Sequence, residues 1–387
     1  MKKNKLTIMQ VLPALYQGGV ERGTIDLAKF LDKKGHNSVV VSKGGLMTKE
    51  FEGTGVTHIN LDVRSKNPVK MLINSFKLRK LIKENNADII HARSRIPAWT
   101  AYWAKKGTKA KFITTFHGAG KLPKNPVLKF FKRYYNSIMC TSIPTIAPSQ
   151  NTFDFIVKNY HVNPCNIKVI YRWVDLEKYN ENLNKEKLNY YKNLFRIPAN
   201  SKVIIATSRL ARIKGHDVLI KALAQVKSDF YLVLVGEAKN KKFLEEIKAL
   251  IKEYKLEQKV LFAGLQIEME YIYPLAYLTT NVSTVEETFG RTIVESLASG
   301  VPCIATNIGG PLEIIQDGVS GFFVEPNDIE GLAKKIDYVL NLPSKDYEKL
   351  QKNCKKRAEF FSLKAKCQET LDVYEQLLSK KGWMPEC

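Results

Sequence analysis

Two glutamates, Glu287 and Glu295, stand eight positions apart around Gly290 in the stretch STVEETFGRTIVESLASG. Glu287 falls just after an expected strand. Gly290 permits a tight turn, and a helix is expected to begin near Arg291. One carboxylate thus belongs to the loop and the other to the helix below. Between them the helix N-terminus leaves backbone N–H groups without intrahelical partners, a setting suited to a phosphate. Carboxylates at two heights can accept hydrogen bonds from two sets of sugar hydroxyls. By themselves, two glutamates at this spacing favour the plainer reading of a capping loop with an exposed helix carboxylate. In the first half, Thr114-Thr115-Phe116-His117-Gly118 puts His117 just past an expected strand. His91-Ala92-Arg93-Ser94-Arg95 sets two arginines around a serine at another strand end, where they can bind an anion bidentately. Gly18 and Gly19 follow the first expected strand, where backbone can approach a ligand with no Cβ in the way.

The elements that must position these residues read as an alternation of short apolar runs and helical patterns. Strands are expected at Leu6–Leu12, Ser38–Val41, Ala87–His91, Lys111–Phe116, Thr145–Ala147 and Lys168–Ile170, with helices near 20–34, 68–85, 95–106, 123–139 and 149–159. The rhythm then restarts. Strands are expected at Val203–Thr207, Tyr231–Val235, Val260–Phe262, Leu278–Ser283, Cys303–Ala305 and Gly321–Val324, separated by helices near 215–227, 240–254, 290–299 and 328–341. Such alternation predicts an α/β protein of two Rossmann-like, doubly wound domains with a cleft between them. The expected boundaries are 1–175, with 363–387 returning as a C-terminal helix, and 196–362, with 176–195 as connector.

The 387 residues carry 44% hydrophobic and 26% charged side chains, a globular composition that excludes disorder, collagen and coiled coil for the whole chain. The formal charge of +23 is uneven. Residues 1–180 hold 31 Lys and Arg against 11 Asp and Glu, and residues 181–387 hold 30 against 27. The basic half implies an anionic partner. The six cysteines, Cys140, Cys165, Cys303, Cys354, Cys367 and Cys387, form no C-x-x-C pair and no metal-type spacing with the histidines. They read as reduced cytoplasmic thiols. The opening Met1-Lys2-Lys3-Asn4-Lys5 mimics the start of a signal peptide, but Thr7, Gln10 and Pro13 interrupt the apolar stretch Leu6 to Tyr16, so a buried first strand is expected. No run approaches the roughly 20 apolar residues that span a bilayer.

The sequence from Glu287 to Glu295, with Phe289-Gly290 inside it and Ser299-Gly300-Val301-Pro302 after it, resembles the signature of the retaining GT-B glycosyltransferases of family 4. The resemblance continues through Gly309-Gly310-Pro311-Leu312-Glu313 and Asp317-Gly318-Val319-Ser320-Gly321. Upstream, Ser208-Arg209-Leu210 and Lys214-Gly215 look like the family's diphosphate clamp, and Gly18-Gly19-Val20-Glu21-Arg22 looks like its glycine loop. The motifs fall in family order along nearly the whole chain. One departure is Trp173, where the family often has glycine.

The resemblance implies a GT-B hexosyltransferase acting on a nucleotide sugar. Glu287 would bind the donor sugar hydroxyls and Glu295 the nucleotide ribose. Phe289, Gly290, Arg291 and Thr292 would frame the phosphates, Gly18 and Gly19 would approach the donor, and the loops of Glu237 and Leu265 would face the base. His117 resembles the histidine beside the donor sugar. The sequence holds no D-x-D motif, so no metal or other cofactor is expected. Arg209 and Lys214 would neutralise the leaving diphosphate instead. The segment 91–99 and Tyr134-Tyr135-Asn136-Ser137-Ile138-Met139 resemble lipopolysaccharide core mannosyltransferases, which implies GDP-mannose as donor and Kdo on a lipid A precursor as acceptor, held by Arg93 and Arg95. A GT-B nucleotide-sugar epimerase, or a family 4 transferase using another donor for a different glycan or glycolipid, is the alternative. A nucleic-acid partner finds no recognised binding module. An NAD enzyme fails because Gly18, Gly19 and Gly23 have the wrong spacing for G-x-G-x-x-G. A glycoside hydrolase would need its two carboxylates around one bond. Lys121-Leu122-Pro123-Lys124-Asn125-Pro126 leads into a helix with Val127, Phe130, Phe131, Tyr134 and Ile138 at three- and four-residue spacings, interleaved with Lys129, Lys132 and Arg133. A basic amphipathic helix of this kind suits an anionic bilayer surface, so the expected location is the cytoplasm, peripheral to the cytoplasmic face of the inner membrane.

Overall fold

The computed structural model describes residues 5–16, 18–118, 122–179 and 183–384. The chain divides into two compact units, Met1–Arg172 with Leu363–Cys387, and Trp173–Ser362. In the first unit the strands are β1 (Thr7–Val11), β2 (Asn37–Ser42), β3 (Thr57–Asn60), β4 (Ile89–Ala92), β5 (Lys111–Thr115), β6 (Thr145–Ala147) and β7 (Ile167–Val169). They form one parallel sheet in the order β3-β2-β1-β4-β5-β6-β7. In the register, Ile8 of β1 stands between Ser38 of β2 and Ile89 of β4. Helices cover both faces, so the central strands are buried on both sides and read as continuous apolar runs. All five residues of β1 and all four of β4 are buried. Strand β3, which the sequence patterning does not reveal, is one of the two edge strands. Its four residues, Thr57-His58-Ile59-Asn60, are short, half-polar and only partly covered, which leaves no apolar run to detect.

The second unit holds β8 (Val203–Thr207), β9 (Tyr231–Val235), β10 (Val260–Gly264), β11 (Leu278–Asn281), β12 (Cys303–Thr306) and β13 (Gly321–Val324). These pair in parallel in the order β10-β9-β8-β11-β12-β13. The segment expected as a connector folds into this unit. Asn184 caps a helix, Lys185–Leu194, by accepting from the amides of Glu186 and Lys187. That helix and the residue after it send Tyr191 and Phe195 into the core with Val203, Ile205 and Tyr231. Trp173 is also buried.

In the first unit the helix Leu363–Leu378 packs against Gly19–Lys33, and its fully buried Tyr374 meets His91 with the hydroxyl 2.6 Å from Nδ1. Cys140, Cys303, Cys354 and Cys367 are free thiols, with burial pushing Cys140 and Cys303 up to about 12. Cys165 is disulfide-bonded, which corrects the expectation of a wholly reduced set. The returning C-terminal segment reaches this position, where the Trp383 indole donates to the Cys165 carbonyl at 3.0 Å. Cys387, Lys121 and the opening residues 1–4 lie outside the described residues.

Candidate functional site

Open parallel sheets bind ligands where the strand order reverses, at the carboxyl ends of the strands. In the second unit that point lies between β8 and β11. The turn after β8 carries Ser208 and Arg209, and β11 leads into Ser283. Gly215 has φ +68°, and a Cβ there would overlap the Val282 carbonyl, so the loop bearing Lys214 lies directly on the exit of β11. This close approach delivers Lys214 to Glu287, where the ammonium and a carboxylate oxygen form an ion pair. The same oxygen accepts from the Ser283 hydroxyl. Lys214 and Glu287 are both largely buried, with 21% and 15% of their side-chain surface exposed, so the pair is screened less than a surface pair.

The Glu287 loop is pinned from the other side. The Gly310 amide donates to the Glu287 carbonyl at 2.8 Å, and a Cβ on Gly310 would overlap the Phe289 backbone. Gly310→Ala is therefore expected to cost about 1–3 kcal/mol of stability and to displace Glu287. Thermal unfolding checks the first effect, and ligand calorimetry checks the second.

Gly290, at φ +106°, starts the helix Arg291–Ala298 with no side-chain cap. Thr292 is half-buried in its first turn. Glu295 is 8% exposed, and each of its oxygens is held. One lies 2.9 Å from Nε of Arg291, a turn earlier, and the other accepts from the Tyr273 hydroxyl at 3.2 Å. Tyr273 is fully buried, and its hydroxyl also meets the Thr207 hydroxyl at 3.1 Å. Burial, then the neighbouring Glu295 charge, raise the phenol far above its ordinary value, so it stays a donor. The Phe289 ring is core, packed edge-on against Phe361 at 5.6 Å. Arg209 is exposed, and its guanidinium has no ion-pair partner among the described residues. Glu237 and Leu265 sit on adjoining loops, joined by a hydrogen bond from the Gly236 amide to the Gly264 carbonyl at 2.8 Å. Among the described residues no three His, Cys, Asp or Glu side chains gather as a metal-ligand set.

In the first unit the order reverses between β1 and β4. There a cavity of about 180 Å³ is lined by Pro13, Glu21, Arg93, Arg95, Phe116 and His117, among others. Arg93 is 3% exposed. Its Nη1 donates to Oε1 of Gln10 at 2.7 Å, and its Nε has no hydrogen-bond partner. No carboxylate lies within ion-pair distance of it among the described residues. Arg95 donates to the Gly118 carbonyl, and its Nε is likewise buried without a partner. His117 lies against Arg172, with Nδ1 3.2 Å from Nη2. Burial first, then the charge of Arg172 and Arg93, hold its pKa far below the usual histidine value. The glycine loop joins the same cluster. A Cβ at Gly18 would stand 2.5 Å from a Glu21 carboxylate oxygen, and one at Gly19 would overlap the Arg172 guanidinium. Sequence reasoning did not assign Ser283, Tyr273, Glu21 or Arg172. Of these, Glu21 lies in the glycine loop, Ser283 opens the glutamate stretch and Arg172 precedes Trp173.

Residues 191–359 match the family model described as glycosyl transferases group 1, and residues 17–178 match Glycosyltransferase Family 4. A glycosyltransferase from Rickettsia africae ESF-5, solved by crystallography, is 39% identical, with 98% of this chain and all of that chain covered and a TM-score of 0.90. The chain belongs to the GT-B glycosyltransferases of family 4. Among characterised relatives, the N-acetyl-alpha-D-glucosaminyl L-malate synthase of Bacillus anthracis is 27% identical across 92% of this chain and 89% of its own. A GDP-mannose-dependent alpha-mannosyltransferase of Corynebacterium glutamicum is 26% identical across 84% of this chain and 77% of its own.

The first unit of this glycosyltransferase also presents an apolar, basic surface. The helix Pro126–Ser137 buries only Asn136 and exposes Val127, Leu128, Phe130, Phe131 and Tyr134, each by 59% or more. Ile138, expected on the same stripe, is buried. Residues 122–137 include Lys124, Lys129, Lys132 and Arg133 and no acidic side chain. Tyr134 packs on Trp99 at 5.8 Å, and Trp99 in turn on Trp103. Arg79 donates to the Trp103 carbonyl, which ties in the helix Pro68–Glu84 with its exposed Val69, Leu72, Ile73 and Phe76. No helix of the described residues is long and apolar enough to cross a membrane.

Proposed function

We propose that this glycosyltransferase moves a hexose from a nucleotide sugar to an anionic glycolipid with retention of anomeric configuration and without a divalent metal. The donor we assign is GDP-mannose, and the acceptor is Kdo on a lipid A precursor. The observation that carries the reading is the meeting of Lys214 with Glu287 beside an uncapped helix N-terminus, at the point where the sheet order reverses. Departure of a nucleoside diphosphate builds negative charge on phosphate oxygens. Lys214, Arg209 and the amides of the first helical turn supply the opposite charge there. Glu287 accepts from sugar hydroxyls and, by holding Lys214, fixes the cation near the scissile bond. Glu295, steadied by Arg291 and Tyr273, accepts from the ribose hydroxyls. The mannosyl donor is supported by the Corynebacterium relative, whose name gives GDP-mannose dependence.

The acceptor assignment draws on Arg93. A buried guanidinium with no carboxylate partner carries a desolvation cost of several kcal/mol, which a bound anion would offset. The carboxylate of a sugar acid such as Kdo has the charge and the planar geometry for Arg93 and Arg95. An anionic bilayer surface complements the exposed aromatic and lysine-rich helices, because apolar side chains enter the headgroup boundary while lysines meet lipid charge.

The test uses purified protein with GDP-mannose, UDP-glucose and UDP-N-acetylglucosamine. Nucleotide release that requires a Kdo-bearing acceptor supports transfer. Interconversion of the sugar nucleotide with no acceptor would instead support an epimerase. Within the donor site, Glu295→Ala is expected to weaken free nucleotide and nucleotide sugar alike by about 1.5–3 kcal/mol, as loss of a charged hydrogen bond does. Glu287→Ala should weaken only the nucleotide sugar, or its turnover. Equal losses on both ligands for Glu287→Ala, measured by calorimetry, would contradict its placement on the sugar.

A further inference from the structure

His117 follows β5, and its ring lines the cavity that also takes Glu21, Arg93 and Arg95. Its Nδ1 stands 3.2 Å from a guanidinium nitrogen of Arg172. A guanidinium only donates, so Nδ1 is the acceptor, and the single proton of a neutral imidazole resides on Nε2. That Nε2 is closed to solvent and has no hydrogen-bond partner among the described atoms. A buried N–H without an acceptor is costly, and a bound oxygen would satisfy it.

Arg172 is itself held in place by the chain around it. The missing Cβ of Gly19 leaves room for its guanidinium, and the Glu21 carboxylate feels its charge. The glycine at 19 thus makes room for a second side chain.

We infer that Arg172 is a positioning residue for the transfer reaction, fixing His117 as the Nε2–H tautomer so that a neutral donor is ready for a sugar oxygen. The identity of that oxygen rests on the proposed function, whereas the tautomer does not. The charged and titratable groups facing the ring are Arg172, Arg93 and His91, with Glu21 and Arg95 on the same cavity wall. Arg172 and Arg93 oppose an imidazolium, as does burial, so the ring stays neutral well below the ordinary pKa of about 6.5. Removing the Arg172 charge moves the pKa upward and frees the proton to sit on either nitrogen.

The experiment is nitrogen-15 histidine spectroscopy of the full chain, wild type against Arg172→Met and Arg172→Lys, with turnover measured on the same samples. The wild type should show Nε2–H and no titration near pH 6. Arg172→Met should mix the tautomers and titrate closer to 6.5. Its kcat should fall roughly tenfold with donor KM nearly unchanged, because the hydrogen bond is made to the reacting sugar. An acidic limb absent from the wild type should enter its pH profile. Arg172→Lys, which keeps a cationic donor, should recover part of the rate. An Nδ1–H tautomer in the wild type overturns the inference with no variant and no substrate. A wild-type kcat in Arg172→Met also overturns it.

Discussion

Lys214→Ala is expected to lower turnover by roughly 10²-fold or more while leaving the protein folded, since this is the usual effect of removing one preorganised charge from a developing oxyanion. The largely buried side chain of Lys214 makes the loss larger than for a surface lysine. Its removal also leaves the Glu287 carboxylate without its cation, beside Ser283 alone. An uncompensated anion there would repel the departing diphosphate, so two effects act in the same direction. Arg209→Ala should cost a similar order through lost charge only, because Arg209 has no ion pair to break among the described residues. Lys214→Arg, which restores charge in a different shape, should recover part of the rate. The measurement is kcat from released nucleotide, in EDTA throughout. Activity that vanishes in EDTA and returns with manganese would overturn the metal-free reading. A loss under threefold in Lys214→Ala would remove the lysine from the phosphate.

The parts of the molecule legible in the sequence are those where one local pattern has one physical cause. Strands β1, β4, β8 and β9 are buried on both faces, so their apolar runs announce them. The turns after them carry the candidate residues because parallel strands all deliver their carboxyl ends to one side of a sheet. Hence the neighbourhood of Arg93, Arg95 and His117, and that of Lys214 and Glu287, could be anticipated from position after a strand. What could not be read depends on pairs distant in the chain. Tyr273 reaches Glu295 across 22 positions, and Arg172 reaches His117 across 55. No periodicity encodes such pairs. Composition misled at 176–195, where asparagines and lysines on the outer face of a helix hid Tyr191 on the inner one. Scattered spacing misled at Cys165, because only the returning C-terminal segment brings that position its surroundings. Phe289 shows the converse. It stands inside the glutamate motif, yet its ring serves the core.

Replacing Lys129, Lys132 and Arg133 together by Glu should abolish sedimentation with anionic vesicles while nucleotide binding stays intact. Each basic side chain near an anionic leaflet contributes about 1 kcal/mol, so losing three lowers partition by roughly 10²-fold, and reversing them lowers it further. The wild-type protein should bind vesicles containing anionic lipid, ignore neutral ones, and come off as salt shortens the Debye length. Aromatic contacts respond differently. Phe130 and Phe131 stand out from the helix with their rings edge-to-face at 5.9 Å, and neither charge nor salt removes their burial in the headgroup boundary. A Phe130→Ser, Phe131→Ser protein should therefore keep its salt sensitivity but bind more weakly at every salt concentration. The helix contributes little to the core, since only Asn136 is buried, so neither variant should unfold the first unit. Equal partition of the wild type onto neutral vesicles would show that charge is not the determinant. Binding to neither kind would leave the basic face to a water-soluble anionic acceptor, which Arg93 and Arg95 could serve without a membrane.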